Sequence, residues 1–165
     1  MDQDLDQLIS ILERRGLKGG LKWLNDRVPH RWTAIYKLDS VVVVNQFAVD
    51  KLKQADMCNL VALPLKDSFC QFAMRDGEFV KQNTSQDDDP RLIDHMYKGV
   101  VNSYVGLPLM KNSDALYGSF CHFDTAPQVI SDDEFAFLQK VARVLPLYLD
   151  HSLKHVQPLS SAQAA

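Results

Sequence analysis

The chain has 165 residues, 46% of them hydrophobic and 24% charged, with a net charge of -3. That fits one globular domain and leaves no basic excess to draw it toward nucleic acid or anionic lipid. Its apolar runs, such as Val41-Val42-Val43-Val44, fall far short of the ~20 residues that span a bilayer, and the acidic start MDQDLDQ is unlike a signal peptide.

Leu5, Leu8, Ile9, Ile11 and Leu12 recur at helical spacing, so an amphipathic helix is expected over 3–15, ending near Gly16. Residues 17–25 continue as helix or form a second one, weakened by Gly19-Gly20 and stopped by Pro29. Residues 32–38 alternate large apolar and polar side chains, Asp39-Ser40 turns, and 41–47 is rich in β-branched residues; 31–47 reads as a hairpin. Residues 48–56 have helical propensity, and 60–65 form a short apolar segment ending in a proline turn. Asp67 or Ser68 can cap a helix carrying Phe69, Cys70, Phe72, Ala73 and Met74. Arg75-Asp76-Gly77 reads as a turn and 78–82 as a short strand.

The polar stretch NTSQDDDPR follows, and Pro90 suits the first turn of a helix through Tyr97. A second hairpin is expected from strands 102–110 and 115–123 about the turn Lys111-Asn112-Ser113-Asp114. Ser131 and Glu134 have capping-box spacing and open a long helix with Phe135, Leu138, Val141, Ala142, Leu145 and Leu149 on one face. Pro146 kinks or ends it, and 151–165 reads as a frayed tail. Helices at both ends of an antiparallel sheet make an α+β domain. The terminal helices cover one face, and short helices and loops of the middle segment, 60–100, cover a pocket on the other.

Cys58, Cys70 and Cys121 are odd in number and unlike a zinc motif in spacing, as expected of a reducing cytoplasm. Asp87-Asp88-Asp89 lacks the alternation and glycine of a calcium loop and reads as solvated acid ahead of a helix start, with no metal assigned. Arg91 either reaches an anionic ligand or pairs with one of those aspartates. Adjacent strand residues point to opposite faces, so Cys121 and His122 cannot both line one pocket. Cys121 reads chiefly as a small buried apolar residue, and His122 either as a satisfied polar group or as pocket wall. Cys70, at a helix start, is where amides and the helix dipole lower a thiol pKa, against the plainer reading of core packing.

In order along the chain, Asp67-Ser68-Phe69-Cys70, Tyr104-Val105-Gly106-Leu107-Pro108-Leu109, Tyr117-Gly118-Ser119-Phe120-Cys121 with Asp124, Pro127 and the capped helix with Phe137-Leu138 resemble a GAF domain of bacterial signalling proteins. The resemblance covers 17–150, with 1–16 as an N-terminal helix. It implies a PAS-like sheet with helices on both faces and a domain that binds a cyclic nucleotide, bilin, haem or metabolite, or only dimerises. Bilin-binding members hold the chromophore through a Cys-His pair on a helix, whereas Cys121-His122 lies in a strand. The asparagine-lysine motif of cyclic-nucleotide binders is absent, as are the glycine-rich and Cys-Asp pieces of the family's free methionine sulfoxide reductases. The resemblance selects no cofactor.

The reading that follows is a cytoplasmic, non-enzymatic sensor. It binds a small molecule through Cys70, Phe72, Phe79, Arg91, Tyr104 and His122, and signals through a homodimer or a partner protein. The apolar faces of 5–12 and 135–149 are candidates for the dimer seam, or else they cover the chain's own sheet. The alternatives are a thiol enzyme resembling the sulfoxide reductases, with Cys70 and one of the other cysteines, and a ligand-free assembly module.

Overall fold

The computed structural model describes residues 2–54, 61–112 and 114–149. Asp2 caps the first helix, α1 (Gln3–Asp26), its carboxylate accepting from the Leu5 amide at 3.1 Å. Gly16 breaks the helix with φ 74°, a conformation that a side chain would resist. The break resets the buried stripe: Leu8, Ile11 and Leu12 precede it, and Leu17, Leu21 and Leu24 follow it. The expected split near Gly16 is therefore present, inside one continuous run of helix.

Six strands form one sheet in the order β3-β2-β1-β6-β5-β4. They are β1 (Trp32–Asp39), β2 (Val42–Asp50), β3 (Ala62–Pro64), β4 (Phe79–Lys81), β5 (Ser103–Lys111) and β6 (Ala115–Asp124). The described pairs are all antiparallel, and both expected hairpins are there. The helix expected over 48–56 is not: Ala48, Val49 and Asp50 continue β2 and pair with Ala34, Thr33 and Trp32. Cross-strand partners outweigh local helical propensity there. Residues 55–60, with Cys58, lie outside the described residues.

The middle helix α2 (Cys70–Asp76) runs through Arg75 and Asp76, which the sequence reads as turn, and stops at Gly77. Ser68, one of the two residues expected to cap it, accepts from the Gln71 amide at 3.2 Å. The helix expected from Pro90 to Tyr97 is a single 3-10 turn, Pro90–Leu92. Pro90 starts it as expected, but Ile93 is extended and Asp94 takes φ 60°, so the chain leaves the helical path. The last helix, α3 (Asp132–Val144), is capped by Ser131, whose hydroxyl accepts from the Glu134 amide at 3.1 Å. The Glu134 carboxylate grips Arg27 at 2.8 and 3.0 Å, joining the end of α1 to the start of α3. Arg27 also lies 4.2 Å over the Phe137 ring.

α1 and α3 cover one face of the sheet. Leu8, Leu12, Leu21 and Leu24 pack there with Leu138, Val141 and Leu145 against Ile35, Val105, Leu107, Leu109 and Phe120. The apolar stripes that could have formed a dimer seam are therefore spent on the chain's own sheet. The opposite face carries Trp32, Ala34, Tyr36, Tyr104, Cys121 and Phe123 under α2 and the segment that follows it.

Candidate functional site

A cavity of about 40 Å³ lies on that second face, between the sheet and the middle segment. Tyr36, Tyr104, Cys121 and Phe123 line it from the strands, and Ser68, Phe69 and Cys70 from the start of α2. That space holds water-sized molecules. A tetrapyrrole or any drug-sized ligand enters only if the middle segment moves outward.

Tyr104 is aimed by its neighbour on the same face of β5. A Cβ at Gly106 would run into the Tyr104 ring, coming within 2.6 Å of its hydroxyl oxygen. The ring lies over the glycine, and this is what the Tyr-x-Gly spacing accomplishes. Laid down in this way, the Tyr104 hydroxyl donates to Cys70 Sγ at 3.4 Å. Cys121, opposite Gly106 in the sheet, faces the same sulfur. Donation from Cys121 is the main influence holding the Cys70 thiol below the ordinary cysteine value, with help from Ser119 and Tyr104 against the opposing effect of burial. Ser119 Oγ makes no hydrogen bond of ordinary geometry, so its part is that of a nearby dipole. Burial, and then the Cys70 sulfur, push the Cys121 thiol up, so any single ionisation of the pair falls on Cys70. Burial likewise raises the phenols of Tyr36 and Tyr104, keeping both protonated and able to donate.

The other expected site residues are distributed differently. Phe72 and Phe79 are buried beside the cavity, their ring centres 4.9 Å apart, and brace Phe69. Arg91 is on the outside. It pairs with Asp89 at 2.7 Å and Asp76 at 2.8 Å and lies 4.8 Å over the Phe79 ring. Of the two readings of Arg91, the aspartate pairing is the one present. Lys81 holds Asp87 and Asp89 at 3.1 and 2.8 Å, so those carboxylates are internal anchors.

His122 lies across the sheet from the cavity, under α1. Its Nδ1 is 2.7 Å from Thr33 Oγ1, which accepts from Asn25 Nδ2 at 2.8 Å. Thr33 Oγ1 and Nδ1 thus share one hydrogen bond, while Nε2 has no protein partner among the described residues. His30 stacks on His122 with ring centres 5.9 Å apart, and neither of its own nitrogens has a partner among the described residues. Burial pulls both imidazoles down, His30 to about 4.

The expectation that Cys121 and His122 face opposite ways is therefore met, with the cysteine on the cavity side. A β-bulge decides it. Leu109 pairs with Gly118 and Met110 with Leu116, so Tyr117 is an extra residue that shifts the parity of β6. Counting back from the turn without the bulge puts each β6 side chain on the wrong face. Tyr36, outside the expected site residues, also lines the cavity from β1, where it pairs with Ser119 of β6.

No protein-family model matches the chain, and no curated protein does. Solved structures do. The GAF domain of an Acinetobacter phosphoenolpyruvate-protein phosphotransferase is 18% identical, with a TM-score of 0.70 over 96% of this chain and 99% of that one. A free methionine-R-sulfoxide reductase from Neisseria meningitidis, solved with its substrate, is 16% identical, with a TM-score of 0.69 over 92% and 89%. The phycocyanobilin-bound GAF domain of a cyanobacterial phytochrome is 13% identical, with a TM-score of 0.70 over 94% and 97%. GAF domains of larger proteins and a free-standing enzyme thus stand at equal structural distance, and the likeness shows the fold alone.

Proposed function

We propose that this chain, which has the GAF fold, is a regulatory domain whose cavity under the middle segment receives a small, mostly apolar ligand. The observation that carries this reading is the wall. Aromatic and aliphatic side chains surround a few buried donors, the hydroxyls of Tyr104 and Tyr36 and the two thiols, which suits recognition. Tyr104 and Cys70 make the polar contacts, and Phe72 and Phe79 support them from behind. Entry displaces α2 and the segment after it, and the Asp76–Arg91–Asp89 latch on the outer surface registers the change. A partner protein or a second copy reads that surface. The adjacent reduced thiols suit a reducing cytoplasm.

The test is native mass spectrometry of freshly purified protein against its denatured mass. Extra mass released on denaturation, and diminished by Leu63→Trp at the cavity wall, is the expected result. An unliganded mass, with no thermal stabilisation by any compound of a metabolite collection, overturns the reading.

One observation favours a second reading, a thiol reductase. Cys70 and Cys121 meet in the cavity, and Cys70 is the more acidic. A sulfoxide would accept two protons and two electrons from the pair, giving a sulfide, water and a Cys70–Cys121 disulfide. Against it, no cationic side chain is among the groups that hold the Cys70 thiol down, and such a partner is what usually makes a thiol reactive. Reduction of free methionine-R-sulfoxide with a dithiol, lost in Cys70→Ser, would establish this reading. No turnover removes it.

A further inference from the structure

A separate groove of about 470 Å³ lies on the other side of the molecule, between the second half of α1 and the end of β2. Lys18 and Lys22 line it from the helix, and Lys51 and Lys53 from the turn that follows the strand. Four lysines thus line one groove of a chain whose net charge is -3. Two carboxylates share the lining, and both are engaged. Asp26 pairs with Lys22 at 3.3 Å. Asp50 binds Arg31 at 2.8 and 3.0 Å and accepts from the amides of Leu52 and Gln54. Among the described residues, Lys18, Lys51 and Lys53 have no carboxylate in salt-bridge contact.

Lys51 is the fixed member. Its ammonium donates to the Asn25 carbonyl, at the C-terminal end of α1, and to Asn25 Oδ1 at 3.0 Å. Both acceptors are neutral, so the ammonium is held in place with no described carboxylate in contact. The Asp50 contacts organise the turn, and Lys53 sits in it with φ 54° and its amide bonded to the Asp50 carbonyl at 2.9 Å.

We infer that this groove is a binding site for a phosphate-bearing small molecule, with Lys18, Lys51 and Lys53 as its cationic contacts. Lysine is a compact point charge with rotatable donors, and several of them around an open groove match an anion carrying more than one charge. The site is independent of the cavity. It lies across the sheet from Cys70 and Tyr104 and uses none of the residues that line them.

Inorganic pyrophosphate is the probe, titrated at low ionic strength and followed by calorimetry. The wild-type chain is expected to bind it saturably. Lys18→Glu and Lys53→Glu, both exposed positions, are expected to weaken binding at least ~10-fold each, since two charges change beside the anion. Lys37→Glu, on an exposed position of β1 outside the groove, should leave the affinity unchanged. Unaltered thermal unfolding midpoints show that the variants fold. No saturable binding to the wild type, or equal weakening by Lys37→Glu, overturns the inference.

Discussion

Cys121 and His122 are neighbours in β6, yet the sheet divides them, and their surroundings differ in kind. On the Cys121 side a small void remains, where the Tyr104 hydroxyl meets the Cys70 sulfur. On the His122 side two imidazoles and Thr33 are fully buried under helices, with three ring nitrogens unpartnered among the described residues. One face has kept room for something to enter. The other has been filled and carries its polar groups at a cost in stability. Stability is therefore expected to concentrate on the helix face and adaptability on the cavity face.

The sharpest way to break that contrast is to truncate each face. Phe120→Ala removes a fully buried ring between the sheet and the terminal helices and should cost ~3–5 kcal/mol in urea unfolding. A loss below ~1 kcal/mol would mean that this face is not the stabilising one. Gly106→Ala tests the cavity side by overpacking. The new methyl must push the Tyr104 ring off its place, at ~1–3 kcal/mol, and the Tyr104–Cys70 contact should disappear from thiol titration curves.

Acid sharpens the contrast from the other direction. The His30 imidazole has an ordinary value of 6.5 and falls to about 4 in the folded chain, so the unfolded chain binds more protons in between. Stability should be complete above about pH 7 and decline as the pH drops through 6.5, by ~1.5 kcal/mol from His30 alone between 6.5 and 5. His122 adds in the same direction. The check is urea unfolding across this window, where most carboxylates stay ionised, and His30→Phe should flatten the slope. The smallest effect belongs to Tyr104→Phe, which deletes one hydroxyl-to-sulfur contact and should cost ~1 kcal/mol or less, while raising the Cys70 thiol pKa seen in alkylation rates.

Much of this architecture is legible in local patterns. The stripe of Leu8, Ile11 and Leu12, the Ser131 cap and the two hairpins follow from periodicity and turn chemistry. Ala48–Asp50 and 93–97 misled because their propensity is helical while their partners lie elsewhere: a strand edge for the first, and an Asp94 backbone kink for the second. The cavity was readable only in part. Cys70 and Tyr104 could be picked from their places at a helix start and in a strand. That Cys121 joins them, and that His122 does not, depends on one bulged residue, Tyr117, with no marker in the amino-acid order.

The two outermost strands carry one further consequence. β3 and β4 have three residues each, Pro64 ends the first and Lys81 ends the second. A proline gives no amide to a neighbouring strand, and a lysine at a sheet margin discourages docking. Those two strands thus offer little template for another chain, and amyloid-like growth by strand addition onto them is disfavoured.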